Sequence, residues 1–420
     1  MKVKYIILFT LIINLNSYAD TSYIYFEQLI EGLTNNYKLK DNVANTKVIQ
    51  LIREDINKTS YLPQFNISSQ VSYQSDVTKV PISLPGINFP TMDKTQYKIN
   101  LEINQIIYDG FLMNIINKRD KYLSLIEELQ TDLILDSQKE LLNKLIYLYL
   151  INYKTKQQLD EQKKILDFKK NDIANLISGG ILTNTDMDYL NIEMIKISQQ
   201  IETHEINCQY LSENIELLTN IRVNNNLIYY KDESLSQTDK MNRKELRILE
   251  MKKNIADINA EILSKQTSPK LFAFGQLGYG KPGLNMLSNN NSSYYLVGVK
   301  MTWNIFDWGK SRKEEEIAQI NTASLDNEKA QFIQNIILLK NEILANISKI
   351  DKQIENDLEI IKLREKILLA TYSKLTNGTA KAVDYLNDLS AKTQAIIDYE
   401  KHTIEKQYYI QYYSILMGIK

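Results

Sequence analysis

The chain has 420 residues, with 50 Lys and Arg against 51 Asp and Glu and a formal net charge of −1. So even a balance argues against nucleic acid as a partner, and a single cysteine, Cys208, excludes an intrachain disulfide. Only 13 glycines and 6 prolines interrupt the chain, which reads as a few long elements.

Lys2 and Lys4 form a basic start, Tyr5 to Ile13 an apolar core, and Ser17-Tyr18-Ala19 a small-x-small cleavage site. Residues 1–19 therefore read as a secretion signal. No later run reaches about 18 apolar residues, so any membrane segment must be a strand.

Residues 23–61 read as a helical lead-in. After Pro63, Phe65, Ile67, Val71 and Tyr73 alternate with Asn66, Ser68, Gln70 and Ser72. On the return strand Tyr97, Ile99, Leu101 and Ile103 alternate with Lys98, Asn100, Glu102 and Asn104. Period two predicts a hairpin over 64–108 with one apolar and one polar face. Pro81, Pro85, Gly86 and Pro90 mark its exposed loop, 77–94.

Tyr108-Asp109-Gly110 then opens a stretch free of proline and further glycine to about Ile177. At 1.5 Å per residue such a helix reaches on the order of 100 Å, too long for a compact domain. Ser178-Gly179-Gly180 stops it, and a helix returns over about 186–219. The polar stretch 220–243 reads as an equatorial belt, followed by a short helix, 244–266.

The second hairpin covers 270–280 and 293–306. Phe272 and Phe274 fall on its nominally polar face. Phe306-Asp307-Trp308-Gly309 opens a second long helix, which ends near Leu375 at Thr376-Asn377-Gly378 before a return helix over 384–417. In it Leu339, Ile343, Ile347, Ile350, Ile354, Leu358 and Ile361 step by 4, 4, 3, 4, 4, 3. That is an eleven-residue repeat, the mark of a nearly straight or slightly right-handed coil.

The two halves match at a fixed offset. Asp109 and Asp307, Gly180 and Gly378, and Asp186 and Asp384 are each 198 residues apart. The tetrapeptides Asp188-Tyr189-Leu190-Asn191 and Asp384-Tyr385-Leu386-Asn387 offer 196 instead; 198 is preferred because it holds at three landmarks. The expected domains are a signal at 1–19, a first repeat at 20–219, a linker at 220–243 and a second repeat at 244–420. The fold class is mixed α+β, mostly α. Four strands per chain cannot close a barrel, and lipid tolerates no open edge. Membrane strands would therefore need oligomerisation, with three copies giving twelve strands.

No catalytic, cofactor or metal site is expected. Gly275-Gln276-Leu277-Gly278-Tyr279-Gly280-Lys281 mimics a phosphate loop, but Pro282 replaces the hydroxyl residue and a strand follows. His204 and His402 are single on their helices, and Cys208 lacks an activating environment. Asp109, Gly110, Asp307 and Gly309 form strand-to-helix turns, where the aspartates suit helix capping. Asp186, Asp188, Asp384 and Asp388 cluster after the helix tips. They either complement helix N-termini or gather by symmetry into acidic rings that gate a tunnel; the two readings are compatible.

Together the repeated turns at 108–110 and 306–309, the Gly-x5-Asp tips at Gly180–Asp186 and Gly378–Asp384, and the strand starts at Pro63 and Pro269 resemble the TolC family of outer-membrane efflux proteins. The resemblance spans essentially the whole mature chain. It implies a homotrimer with a twelve-stranded barrel in the outer membrane of a Gram-negative bacterium, continued by a helical coiled-coil tunnel through the periplasm. It implies a passive exit duct for a tripartite efflux pump or type I secretion system, with outer-membrane lipid, a periplasmic adaptor and an inner-membrane transporter as partners. Asn66, Gln70, Asn100 and Glu102 would line the lumen. Asp384 matches an entrance acid of the family, with Asn387 where a second acid is common, and Asp388, Asp186 and Asp188 nearby. Gly180 and Gly378 mark the tips that would meet the adaptor. The family's tip tyrosine is Leu375 here, and its basic residue is Ala380, beside Lys381. The rival reading is a periplasmic or surface coiled-coil protein, structural or adhesive.

Overall fold

The computed structural model describes residues 24–78, 91–223, 228–230 and 241–419. The expected signal, most of the first hairpin loop and much of the expected belt lie outside these residues. The order is β1 (Ile24–Tyr25), α1 (Phe26–Thr34), α2 (Tyr37–Thr59), β2 (Gln64–Tyr73), β3 (Thr95–Tyr108), α3 (Leu112–Ser178) and α4 (Asn184–Thr219). Then come β4 (Ile228–Tyr229), α5 (Lys244–Lys265), β5 (Lys270–Lys281), β6 (Ser292–Thr302), α6 (Lys310–Thr376) and α7 (Ala382–Leu416). Among the described residues no helix is long and apolar enough to cross a membrane.

The 198-residue offset recurs in the element bounds. It separates Leu112 from Lys310, Ser178 from Thr376 and Asn184 from Ala382. Both long helices contain 67 residues.

The chain divides into two compact units. Lys40–Ile134 with Arg243–Ile337 contains an antiparallel sheet in the order β2-β3-β5-β6. Its alternation is as expected, and its two faces differ in exposure. The apolar face is open: Ile67, Val71, Tyr73, Tyr295, Val297 and Val299 are all more than two-thirds solvent-exposed. On the polar face Asn100 is buried and accepts a 2.6 Å bond from the Tyr294 hydroxyl. A sheet packed on a soluble core would show the reverse. Beside the sheet, Ile126, Leu129 and Ile248 form a small helical core. The Arg53–Glu127 pair at 2.9 Å ties α2 to α3.

One strand is shorter than expected. β6 ends at Thr302, opposite Lys270, the first residue of β5. Trp303 to Phe306 therefore have no strand beside them among the described residues, and Trp303, Ile305 and Phe306 are exposed. By contrast β3 extends to Tyr108 because Leu271 of β5 pairs with it.

The other unit is Met1–Leu39, Leu135–Asn242 and Leu338–Lys420. It holds two cores. One gathers Phe26, Leu29, Leu142, Ile146, Tyr149 and Ile215. There β1 pairs in parallel with β4, a two-residue strand in the otherwise irregular described part of the belt. The other core surrounds both helix tips and contains Leu166, Ile173, Leu190, Leu375 and Leu389. Each such side chain contributes about 1.5–3 kcal/mol by leaving water.

The expected eleven-residue seam does not form a continuous buried stripe. Ile343, Ile347 and Ile350 are buried, but Leu339 and Leu358 are exposed and Asp357 is buried in their place. The inward line 343–350–357 has the seven-residue spacing of a left-handed wrap. Asp357 can turn inward because His402 on α7 meets it at 2.6 Å.

Candidate functional site: the two helix tips and the strand-to-helix turns

Each tip begins with a helix stop. At the first, the Ile181 N–H reaches the Leu176 carbonyl at 2.9 Å and the Gly180 N–H reaches that of Ile177 at 3.0 Å. At the second, Thr379 bonds Lys374 at 2.9 Å and Gly378 bonds Leu375 at 3.1 Å. Gly180 and Gly378 sit at φ +75° and +69°, the left-handed conformation that glycine adopts without steric cost.

Each return helix begins with an aspartate three residues inside its cap. The Asp186 Oδ2 accepts the Thr183 N–H at 2.9 Å and the Thr183 hydroxyl at 2.8 Å. The Asp384 Oδ2 accepts the Lys381 N–H at 3.0 Å. Asp186, rather than Asp188, is thus the geometric counterpart of Asp384, in line with the 198 offset.

Their surroundings differ. Asp186 is buried, and its Oδ1 accepts the Ala382 N–H of the other tip at 3.2 Å. Burial opposes ionisation of Asp186. The bonds from Thr183 and Ala382, with nearby Lys381, outweigh it and hold the carboxyl below the usual aspartate range. Asp384, Asn387 and Asp188 are exposed, and half-buried Asp388 accepts the Thr371 hydroxyl at 2.6 Å. Leu375 is fully buried in the core around the tips.

Sequence reasoning missed a clamp beside the tips. The Tyr372 hydroxyl of α6 donates to Asp172 Oδ2 of α3 at 2.9 Å. Lys169 pairs with the same carboxylate at 3.0 Å, and its Nζ lies 3.9 Å from the Tyr372 ring centroid. The Lys169 and Tyr372 contacts hold Asp172 below its ordinary range. Its one legible signal was the Lys169-x-x-Asp172 spacing, which suits an i,i+3 pair on a helix.

The strand-to-helix turns share a backbone too. Gly110 and Phe111 lie at φ +74° and +66°, Trp308 and Gly309 at +56° and +73°. Each turn uses two successive left-handed residues, one glycine and one aromatic, in opposite order. Asp109 caps α3 through the Met113 N–H at 2.8 Å and accepts the Tyr61 hydroxyl at 3.3 Å. Asp307 accepts the Ser311 N–H at 2.9 Å, the Ser311 hydroxyl and the Gly309 N–H at 3.0 Å. Asp109 is buried, while Asp307 is half-exposed.

The apparent phosphate loop is strand β5, and Lys281 is paired with Asp93. His204 faces Asn152 Oδ1 at 2.8 Å. Burial pushes the Cys208 thiol up to about 11, the opposite of an activated nucleophile. Among the described residues no three His, Cys, Asp or Glu side chains gather as metal ligands.

Residues 235–405 match the family model of the outer membrane efflux protein. The match covers 171 of the 420 residues, and over them the chain is similar to outer membrane efflux proteins. The fold agrees with that of solved channels. The chain is similar to CusC, a transmembrane channel (14% identity, TM-score 0.69, covering 93% of this chain and 91% of that one). It is also similar to a membrane protein from Pseudomonas aeruginosa (12%, TM-score 0.71, 93% and 89%). The Campylobacter jejuni CmeC outer membrane channel is another match (16%, TM-score 0.67, 93% and 85%). None of the curated proteins matches in sequence.

Proposed function

We propose that three copies close a twelve-stranded barrel in the outer membrane and serve as the passive exit duct of a tripartite efflux pump or type I secretion system. The observation that carries this reading is the sheet, whose apolar face is uncovered while its polar face is partly filled. Lipid is the solvent that suits such a face. β2 and β6 are both edge strands. A neighbouring copy's β2 would supply the missing partner of β6 and of Trp303 to Phe306, leaving no open edge in lipid.

In this reading residues 20–219 and 244–420 are the two repeats of each copy, joined by 220–243. The tips around Gly180 and Gly378 contact a periplasmic adaptor, and an inner-membrane transporter supplies the energy. Asp384, Asn387, Asp388 and Asp188 ring the entrance, with Asp186 holding the two tips together from behind. Asn66, Gln70, Asn100 and Glu102 line the lumen.

The test is single-channel conductance of the purified full chain in a planar bilayer, with its mass in detergent. A trimer passing a small, cation-selective current is the expected result. A monomer that passes none, and is extracted from membranes by salt, would return the chain to the coiled-coil adhesive reading.

A further inference from the structure

Two phenylalanines break the polar face of the sheet, and neither capping nor closure uses them. Phe272 stands opposite Lys300, and Phe274 opposite Gly298. A Cβ on Gly298 would lie 2.8 Å from the Phe274 ring, so that ring lies over the glycine. Next to them is a groove of about 520 Å³, lined by Phe272, Phe274, Lys300, Thr302, Asn104 and Glu102 among others. Strand alternation puts Lys270 on the same face, one step beyond Phe272.

The charges in this groove are ordered. Lys270 and Lys300 flank Phe272, and neither has an ion-pair partner among the described residues. Glu102 stands opposite Gln276. Gln276 lies four steps from Phe272 along β5, roughly 13 Å at strand rise. The groove therefore offers the Lys300 ammonium at one end, with Lys270 beside it on the same face, aromatic rings in the middle and one carboxylate at the far end.

We propose that this groove is a binding subsite for organic monoanions with a flat apolar body. The anionic head sits between Lys270 and Lys300, and the body lies across Phe272 and Phe274. Glu102 repels a second negative charge at the other end, so monoanions are preferred to elongated dianions. The inference rests on the reading that the polar face lines a lumen. It adds a chemical preference of the wall itself, distinct from the acidic tips.

The test uses the full chain in planar bilayers, with naphthalene-2-sulfonate as probe. Neutral naphthalene-2-carboxamide and naphthalene-2,6-disulfonate are the comparisons. The monosulfonate is expected to block the current at the lowest concentration. The double variant Lys270→Gln, Lys300→Gln should raise its half-blocking concentration about tenfold, the loss expected for charge-assisted contacts near water. Phe272→Ser should also weaken the block, and Glu102→Gln should let the disulfonate block as well as the monosulfonate. Lys98→Gln, on the same face but outside the groove, should leave every block unchanged. None of these residues is buried, and the unblocked current reports that each variant has assembled. Equal block by sulfonate and carboxamide overturns the subsite while leaving the channel intact. So does a double lysine variant that blocks like wild type. Absence of any current from the unmodified chain removes the lumen itself, and the subsite with it.

Discussion

At two matched positions the first half of the chain encloses an aspartate and the second half leaves its counterpart in reach of solvent. Asp109 and Asp307 cap equivalent long helices, and Asp186 and Asp384 sit at equivalent places in the return helices. Asp109 is buried with Tyr61 beside it, and Asp186 is buried with Ala382 beside it. Asp307 bonds within its own turn, and Asp384 bonds only the Lys381 N–H. One backbone geometry has thus been given two tasks. The first-half aspartates tie separate segments together, and the second-half ones bond locally within reach of solvent.

The most damaging change removes one side of the comparison. Ile350→Pro deletes a helical hydrogen bond and a fully buried side chain in α6, costing about 3 kcal/mol or more. Loss of the assembled oligomer, with a much lower thermal midpoint, is expected. A stable trimer would refute the continuous helix.

Asp186→Ala should cost about 2–3 kcal/mol in denaturant unfolding, since it strands buried N–H donors. Asp186 also sets an acid limit. Its folded-state pKa lies below its unfolded value, so its stabilisation is complete above about pH 4 and is lost as pH falls through the folded pKa. Asp186→Asn should flatten that acid limb of the stability curve; an unchanged limb would deny Asp186 the role. Asp109→Ala should follow at about 1–2 kcal/mol, the range for a lost helix cap.

The smallest stability change belongs to Asp384→Ala, at most about 1 kcal/mol. Its signature should appear in transport instead, as weaker block of the current by added multivalent cations. If Asp384→Ala destabilises the chain as much as Asp186→Ala and leaves cation block untouched, the division between the halves fails.

Much of the fold was legible because period and punctuation are local properties. Alternation over 64–73 and 97–104 marked the strands, and the paired Asp/Gly turns and tip glycines marked the ends of both long helices. What stayed hidden depends on partners distant in sequence. The end of β6 at Thr302 is fixed by where β5 begins. The inward turn of Asp357 is fixed by His402 on another helix. Tyr372 finds Asp172 from a position 200 residues away. The aspartates of the tips were legible as a set, but which of them is buried was not, because burial comes from the neighbouring tip.

In the trimer proposed above, the unpaired borders of the sheet bear on the order of assembly. A lone copy exposes two rows of free backbone donors and acceptors beside an oily surface, a template for mispairing. On that proposal water and lipid both penalise that state, so encounter between copies and entry into the bilayer would belong to one step. Assembly half-times should shorten steeply as protein concentration rises. A cell making too little of this chain would then accumulate material vulnerable to proteases rather than a smaller number of finished pores.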